Sequence, residues 1–297
     1  MATPLAWVLN LDADLELAAG AGYEPRQSVV DAMRAHVGAL LHGPGALPGP
    51  LDAVVDASTA PGSLAGMRGR AFCPTPRALA LLRRAGAEPE PHPPSAVLRR
   101  VNGRAFASEL GPTLPRAAFV SDLARVEAMV RTDPELGDRW RLKRAFGMAG
   151  RGQRTVAPGP LGAADLAFVR GALAEGGLQV EPQVAIEDEL AVHGVLEPSG
   201  ACALGALVRQ RCDPRGAWLA TERIGAPTQA TLGDFGERVV TEAHRVAVAL
   251  FAAGYFGPFG VDAFTYRDRG GARWLQPRSE INARYSMGFA IGFGRGS

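Results

Sequence analysis

The stretch "RLKRAFGMAGRGQ", residues 141–153, decides how this chain is read. Lys143 is the single lysine among 32 Lys plus Arg residues, and it stands four positions before Gly147, the first of three glycines with Gly150 and Gly152. In "RWRLKRAF", Trp140 and Leu142 face one way while Arg141, Lys143 and Ala145 face the other, so the lysine sits on the polar side of a strand. "QRTV" then begins a second strand. The result is a hairpin whose tip is rich in backbone N–H groups with no Cβ in the way, able to close over phosphate oxygens. A Walker loop puts its lysine after the glycines, and a Rossmann fingerprint opens a helix; this stretch does neither. Alone, such a hairpin is ordinarily a mobile turn.

A second constellation lies near the end, in "SEINARYSMG", residues 279–288. On a strand, Glu280 and Asn282 point to one face, with Arg284 next on that side. Asp262, in "GPFGVDAF", falls on the other strand of the same hairpin. Two carboxylates and an amide oxygen suit Mg2+, which is held by one or two carboxylates plus substrate phosphates. The bland reading is a solvated strand face with paired charges.

Composition narrows the classes. The formal charge is +2, with no block of like charge, so neither nucleic acid nor a membrane is the expected partner. Cys73, Cys202 and Cys212 fit neither a disulfide framework nor CxxC spacing, which points to reduced thiols in a cytoplasm. His36, His42, His92, His193 and His244 form no HExxH pair. The opening "MATPLAWVLNLDADLE" has no basic leader, and its apolar run is too short to span a membrane. A soluble cytoplasmic protein is expected.

Working along the chain, "LAWVLNL", "LDAVVDAS" and "RAFCP" read as strands, and "SVVDAMRAHVGALL" and "PRALALLRRAG" as helices. "EPEPHPP" (88–94) reads as a stiff linker, because proline continues neither a helix nor a central strand. "SAVLRRVNGRAFASELG" reads as one helix from Ser95 to Gly111, weakened at Gly103. A helix with Leu166, Val169 and Leu173 on one stripe, the strand "LQVEP", and strand-like "ELAVHGVL" and "CALGALVRQR" follow. A helix over 234–253 turns Phe235, Val239, Ala243, Val246 and Leu250 inward and stops at Gly254. The last hairpin runs "FGPFGVDAFTY", "RDRGG", "ARWLQPRSEINAR", and "GFGRGS" reads as a flexible tail. Expected domains are 1–94, 95–185 and 186–297.

"LKRAFGMAGRG", "QVEPQVAIEDELAVHG", "GYFGPFGVDAF" and "EINAR" together resemble the ATP-grasp superfamily of carboxylate–amine ligases, in order and approximate spacing. The resemblance covers roughly 95–290 and implies an α/β (α+β) fold: an N-terminal pre-ATP-grasp layer, a small lid subdomain and a C-terminal subdomain. It implies that Lys143 reaches the phosphates of ATP and that Gly147, Gly150 and Gly152 form the lid loop over the β- and γ-phosphates. The backbone of "VEPQV", with Val184, would read adenine, Glu181 would lie near its amino group, and Glu189 would bind ribose hydroxyls. Arg104 occupies the place of a second basic phosphate ligand, where arginine can grip with two nitrogens. Asp262, Glu280 and Asn282 are similar to the family's ligands for two Mg2+ ions, or Mn2+ in their place. Arg284 falls where a basic side chain meets the acceptor carboxylate or acyl phosphate, with Arg209 or Arg211 assisting. A longer stretch between Asp262 and Glu280 and a shorter tail depart from the family, and they bear on substrate contacts rather than on the nucleotide.

The implied activity is ATP-dependent ligation of a small-molecule or peptide carboxylate to an amine through an acyl phosphate, giving ADP and phosphate. Lysine suits this place because it is a compact point charge, where arginine's fork would crowd the nucleotide. A kinase on the same fold and a nucleotide-binding module without turnover are the alternatives. Asp12, Asp14 and Glu16 could hold a substrate amine or merely cap the following segment. His193 reads as a strand histidine with a local partner, and Met287 and Phe289 read as core residues. A homodimer is the default assembly.

Overall fold

The computed structural model describes residues 3–111, 113–147, 150–214 and 216–294. Met148 and Ala149 of the glycine loop, Arg215, and the last three residues of the expected tail lie outside the described residues.

The chain opens with β1 (Leu5–Val8), α1 (Ala13–Ala19), α2 (Gln27–His42), β2 (Ala53–Val54), β3 (Arg68–Ala71), α3 (Pro76–Ala85) and β4 (Glu88–Pro89). The strands form a parallel sheet in the order β2-β1-β3-β4. Parallel strands are covered on both faces, and Ala6, Trp7 and Val8 are accordingly buried. Gly86 ends α3 in the left-handed region, where its N–H reaches back to the Leu82 and Arg83 carbonyls.

The start of the expected stiff linker is part of the sheet: Glu88 and Glu90 donate their N–H groups to Met67 and Gly69 at 2.9 and 2.8 Å, so Glu88–Pro89 forms an edge strand and 91–94 continue without regular structure. The prolines are tolerated because the alternate residues supply the ladder donors. The Glu90 carboxylate then pairs with Arg68 and Arg70.

Next come α4 (Ser95–Asn102) and α5 (Arg104–Glu109), where a single helix was expected. The break falls at Gly103, in extended backbone with ψ 140°. There the Arg104 N–H leaves the helical pattern and donates to Ala145, at 3.0 Å. Both helices pack on the C-terminal sheet, with Leu98, Val101, Phe106 and Ala107 in its core.

The segment expected as the lid comprises β5 (Ala118–Val120), α6 (Leu123–Val130), β6 (Trp140–Arg144), β7 (Gln153–Val156), α7 (Ala163–Ala174) and β8 (Leu178–Pro182), with antiparallel sheet order β5-β8-β6-β7. Trp140 and Leu142 are buried against Val126, Val169 and Val180, as the alternation requires. Each such side chain stabilises the lid by about 1.5–3 kcal/mol. Ala145 is buried and lies just beyond β6, which ends at Arg144.

The remaining elements are β9 (Ala185–Leu196), β10 (Cys202–Leu204), β11 (Val208–Cys212), β12 (Trp218–Arg223), α8 (Ala226–Leu232), α9 (Phe235–Ala252), β13 (Gly257–Arg267), β14 (Arg273–Asn282) and α10 (Phe289–Gly292). Their sheet runs β12-β11-β9-β13-β14, with β10 paired to β9. Val239, Ala243, Val246 and Leu250 of α9 cover one face, as expected, while Phe235 packs against that core only partly buried. "CALGALVRQR" is two strands rather than one, and β12 and α8 carry no clear signal in the sequence.

Candidate functional site

The opposite face of the C-terminal sheet carries polar residues in register. Asp262 on β13 is directly opposite Glu280 on β14, and Gly260 is opposite Asn282, so Asp262, Glu280 and Asn282 share a face. A bulge follows Asp262, a device that re-aims side chains beside functional clefts. Asn282 Nδ2 donates to Asp262 at 2.8 Å, and Gln210 Nε2 does so at 3.0 Å. Enclosure first, and then the charge of Glu280, push the Asp262 carboxyl up to about 7.

Lys143 lies on the polar face of β6, as read, with Nζ 2.6 Å from the Glu181 carboxylate. Lys143 is opposite Gln179 and Arg141 is opposite Glu181, so the pair is a diagonal cross-strand contact. Glu181, expected beside an adenine amino group, is here the counterion of the lysine. With both side chains at 14% and 10% exposure, an ammonium held this far from water requires such a partner.

Arg104 bridges β6 and the acidic face of β14. Besides its backbone bond to Ala145, one guanidinium nitrogen donates to the Arg144 carbonyl at 2.8 Å and the other to Glu280 at 2.7 Å. A side chain at Gly147 would come within 3.0 Å of this guanidinium, which explains a glycine there without appeal to turn geometry.

A cavity of about 170 Å3 is lined by Arg104, Lys143, Gly147, Gly150, Gly152, Glu189, Asp262 and Glu280. The lysine hairpin and the acidic hairpin thus form two walls of one cleft. A larger outer cleft of about 990 Å3 adjoins it, lined in part by Val184, Gln183, Ile186 and Glu189.

Three solved structures match 95%, 99% and 96% of this chain. N5-carboxyaminoimidazole synthetase from Staphylococcus aureus, complexed with ADP, has a TM-score of 0.50 at 13% identity, with 71% of its chain covered. D-alanyl-alanine synthetase A from Vibrio cholerae O1 biovar eltor str. N16961 has a TM-score of 0.50 at 12% identity, with 92% covered. Rhizobium etli pyruvate carboxylase T882A, with the allosteric activator acetyl coenzyme-A, has a TM-score of 0.53 at 16% identity, with 26% covered. The chain has the ATP-grasp fold. No family model matches it, and no curated protein does either.

On this ATP-grasp fold the metal expectation can be tested against the donor set. Asp262 and Glu280 are like charges on one face, an arrangement a divalent cation relieves. The Asn282 amide nitrogen is engaged by Asp262, which leaves its oxygen for a cation. Among the described residues, no group of three or more His, Cys, Asp or Glu side chains could hold a metal. Asp262, Glu280 and the Asn282 oxygen are hard oxygen donors of the kind that hold Mg2+ only together with phosphates, not a closed protein cage.

Other expected residues divide between the two sheet faces. Glu189 is opposite Gln210, on the metal face, and the Cys212 thiol donates to its carboxylate; burial and this bond raise the thiol's pKa. Alternation turns Arg209 and Arg211 away from that face. Arg209 pairs with Asp188 at 2.7 Å, and Arg211, two-thirds exposed, pairs with Glu222 at 3.3 Å. Arg209 and Arg211 line the outer cleft, and the cavity beside Asp262 and Glu280 is lined by Gln210 from the same strand. The only signal of Gln210 in the sequence is its position between two arginines on a strand.

Arg284 is drawn toward the N-terminal layer. Its Nη2 lies 2.7 Å from Asp14, and its guanidinium stands 5.5 Å from the centre of the Phe72 ring. Burial would lower its pKa, but Asp14 more than offsets this and holds the cation. Asp12 receives both bonds from Arg77 at 2.6 and 2.7 Å, and Glu16 accepts from Thr75 and from the Arg77 N–H at the start of α3. Asp12 and Glu16 tie this segment to Thr75 and Arg77, whereas Asp14 pairs with Arg284.

The three cysteines form no disulfide. Among the described residues, no helix is long and apolar enough to cross a membrane.

Proposed function

We propose that this chain is an ATP-dependent ligase that joins a carboxylate to an amine through an acyl phosphate. The observation that carries the reading is the cleft itself: Lys143, Arg104, three glycines, Asp262 and Glu280 around one cavity.

A carboxylate is a poor electrophile toward an amine. In the first step its oxygen bonds to the γ-phosphorus of ATP while the bond to the β–γ bridging oxygen breaks, releasing ADP. In the second step the amine nitrogen attacks the acyl carbon, the carbon–oxygen bond to phosphate breaks, and the nitrogen loses a proton. Little covalent work falls to the protein in the first step, so positioning and charge neutralisation dominate.

Lys143 and Arg104 neutralise phosphate oxygens, exchanging Glu181 and Glu280 for the incoming polyanion. Gly147, Gly150 and Gly152 offer unhindered backbone N–H groups over the phosphates. Asp262, Glu280 and Asn282 would hold Mg2+, which supplies positive charge to the phosphate oxygens when bound. Arg284 orients the acid's carboxylate, and Val184 and Glu189 contact the nucleoside.

Incubation with ATP, Mg2+, a panel of acids and hydroxylamine tests this reading. A hydroxamate formed in step with ADP is expected. ADP with a phosphorylated alcohol and no hydroxamate would indicate a kinase, and firm ATP binding with no ADP would indicate a binding module. Lys143→Arg should lower turnover by roughly 100-fold, the scale of one displaced electrostatic stabiliser, without unfolding the lid.

A further inference from the structure

A second cavity, of about 150 Å3, opens off the acidic end of the cleft. It shares Gly147, Gln210, Cys212, Asp262 and Glu280 with the first, so a molecule in it abuts the phosphates where the metal face lies. Arg284 and Asn282 line its polar end. Its remaining wall includes Leu11, Met33, Phe72, Trp218 and Met287.

That apolar wall is built before any ligand arrives. Met33 and Phe72 are 7% and 3% exposed, fixed by packing. His36 Nε2 donates to the Trp218 carbonyl at 3.1 Å, tying α2 of the N-terminal layer to β12. A carboxylate oriented by Arg284 would therefore hold the rest of its molecule against methionine, phenylalanine and tryptophan side chains. Beside Met33, Phe72 and Trp218 this wall offers the polar side chains of His36 and Ser286 but no Asp, Glu, Lys or Arg, so a second charged group held there, away from Asp262 and Glu280, would lose water without an ionic partner, a penalty that apolar groups avoid.

We infer that the acceptor acid is a small monocarboxylate with an aliphatic or aromatic body, read by Met33, Phe72 and Trp218. The volume is below the roughly 300–1,000 Å3 of drug-sized pockets, which favours a small acid over a long peptide. This inference rests on the ligase reading for the fate of the carboxylate, but not for its binding.

Two measurements separate the inference from that reading. Hydroxamate formation with ATP, Mg2+ and hydroxylamine is compared for hexanoate and 3-phenylpropionate against succinate and 6-aminohexanoate. Melting temperature with ADP and Mg2+ is measured for the same acids. The apolar acids should give at least about tenfold higher kcat/KM, the low end of apolar-pocket discrimination, and the larger rise in melting temperature. Met33→Gln and, independently, Trp218→Leu should each reduce the preference. If no acid gives a hydroxamate but the apolar acids still stabilise the protein, the ligase reading fails and the pocket assignment stands. If the charged acids match or exceed the apolar ones in both measurements, or no acid changes the melting temperature, the assignment is overturned.

Discussion

Arg284 and Asp14 meet at 2.7 Å although 270 positions separate them, joining the segment after the last strand to the first helix. With side-chain exposures of 15% and 7%, both charges are removed from bulk water. Deleting one partner strands the other, which for a buried pair costs about 3–5 kcal/mol. Asp14→Asn should therefore destabilise the protein by about 3 kcal/mol in urea unfolding and raise KM for the acid more than it lowers kcat. A change below about 0.5 kcal/mol with KM unaltered would mean that Asp14 does not hold Arg284.

Arg104→Gln should raise KM for ATP at least about tenfold, because it removes one charge-assisted contact, worth about 1.5–3 kcal/mol, from the phosphate end. It also frees Glu280, its 2.7 Å partner. Steady-state kinetics with ATP varied checks this, and an unaltered KM would exclude Arg104 from the nucleotide site.

Asp262→Asn separates stability from activity. Glu280 and Asp262 repel each other in the absence of a cation, so neutralising one should stabilise the metal-free protein by roughly 1 kcal/mol, about one pKa unit's worth. ATP turnover should fall at the same time. Chelation of Mg2+ should stop turnover without lowering the melting temperature of the nucleotide-free protein, since Gln210 and Asn282 already hold Asp262. A melting temperature that falls on chelation would point to a structural metal instead.

His193 supplies a pH signature. It is fully buried, neither ring nitrogen has a hydrogen-bond partner among the described residues, and burial lowers its pKa from 6.5 to about 4. The unfolded chain therefore binds the proton more readily. This contribution is whole above about pH 6.5 and is lost as pH falls toward 4, by at most about 3 kcal/mol. His193→Phe should flatten the stability profile across that window, as urea midpoints would record. Gly292→Ala should destabilise at every pH, because its Cβ would stand 2.6 Å from His193 Nδ1.

The two hairpins that form the cleft were legible because period-two patterning survives in both: Trp140 and Leu142 inward on one, and Glu280 and Asn282 on one face of the other. The α9 stripe and its Gly254 stop were legible for the same local reason. Contacts set by chain return were not. Arg104 meets Glu280 across 176 positions, and nothing near either residue encodes the other. Lys143 and Glu181 each suggested a nucleotide contact, but only the β6–β8 register reveals that they neutralise one another. Arg211 drew notice by its charge, whereas Gln210 on the metal face had none to offer. Proline density in 88–94 suggested a stiff linker, and the N–H groups of Glu88 and Glu90 make its first two residues an edge strand.

The central claim is that Lys143 and the Asp262–Glu280 hairpin grip one triphosphate from opposite walls. A crystal structure with a non-hydrolysable ATP analogue and Mg2+ tests it most directly. The account predicts Lys143 Nζ within about 3 Å of a phosphate oxygen, its bond to Glu181 lengthened, and metal between Asp262 and Glu280. A nucleotide bound elsewhere, with Lys143 still on Glu181 and no metal on the acidic hairpin, would contradict it.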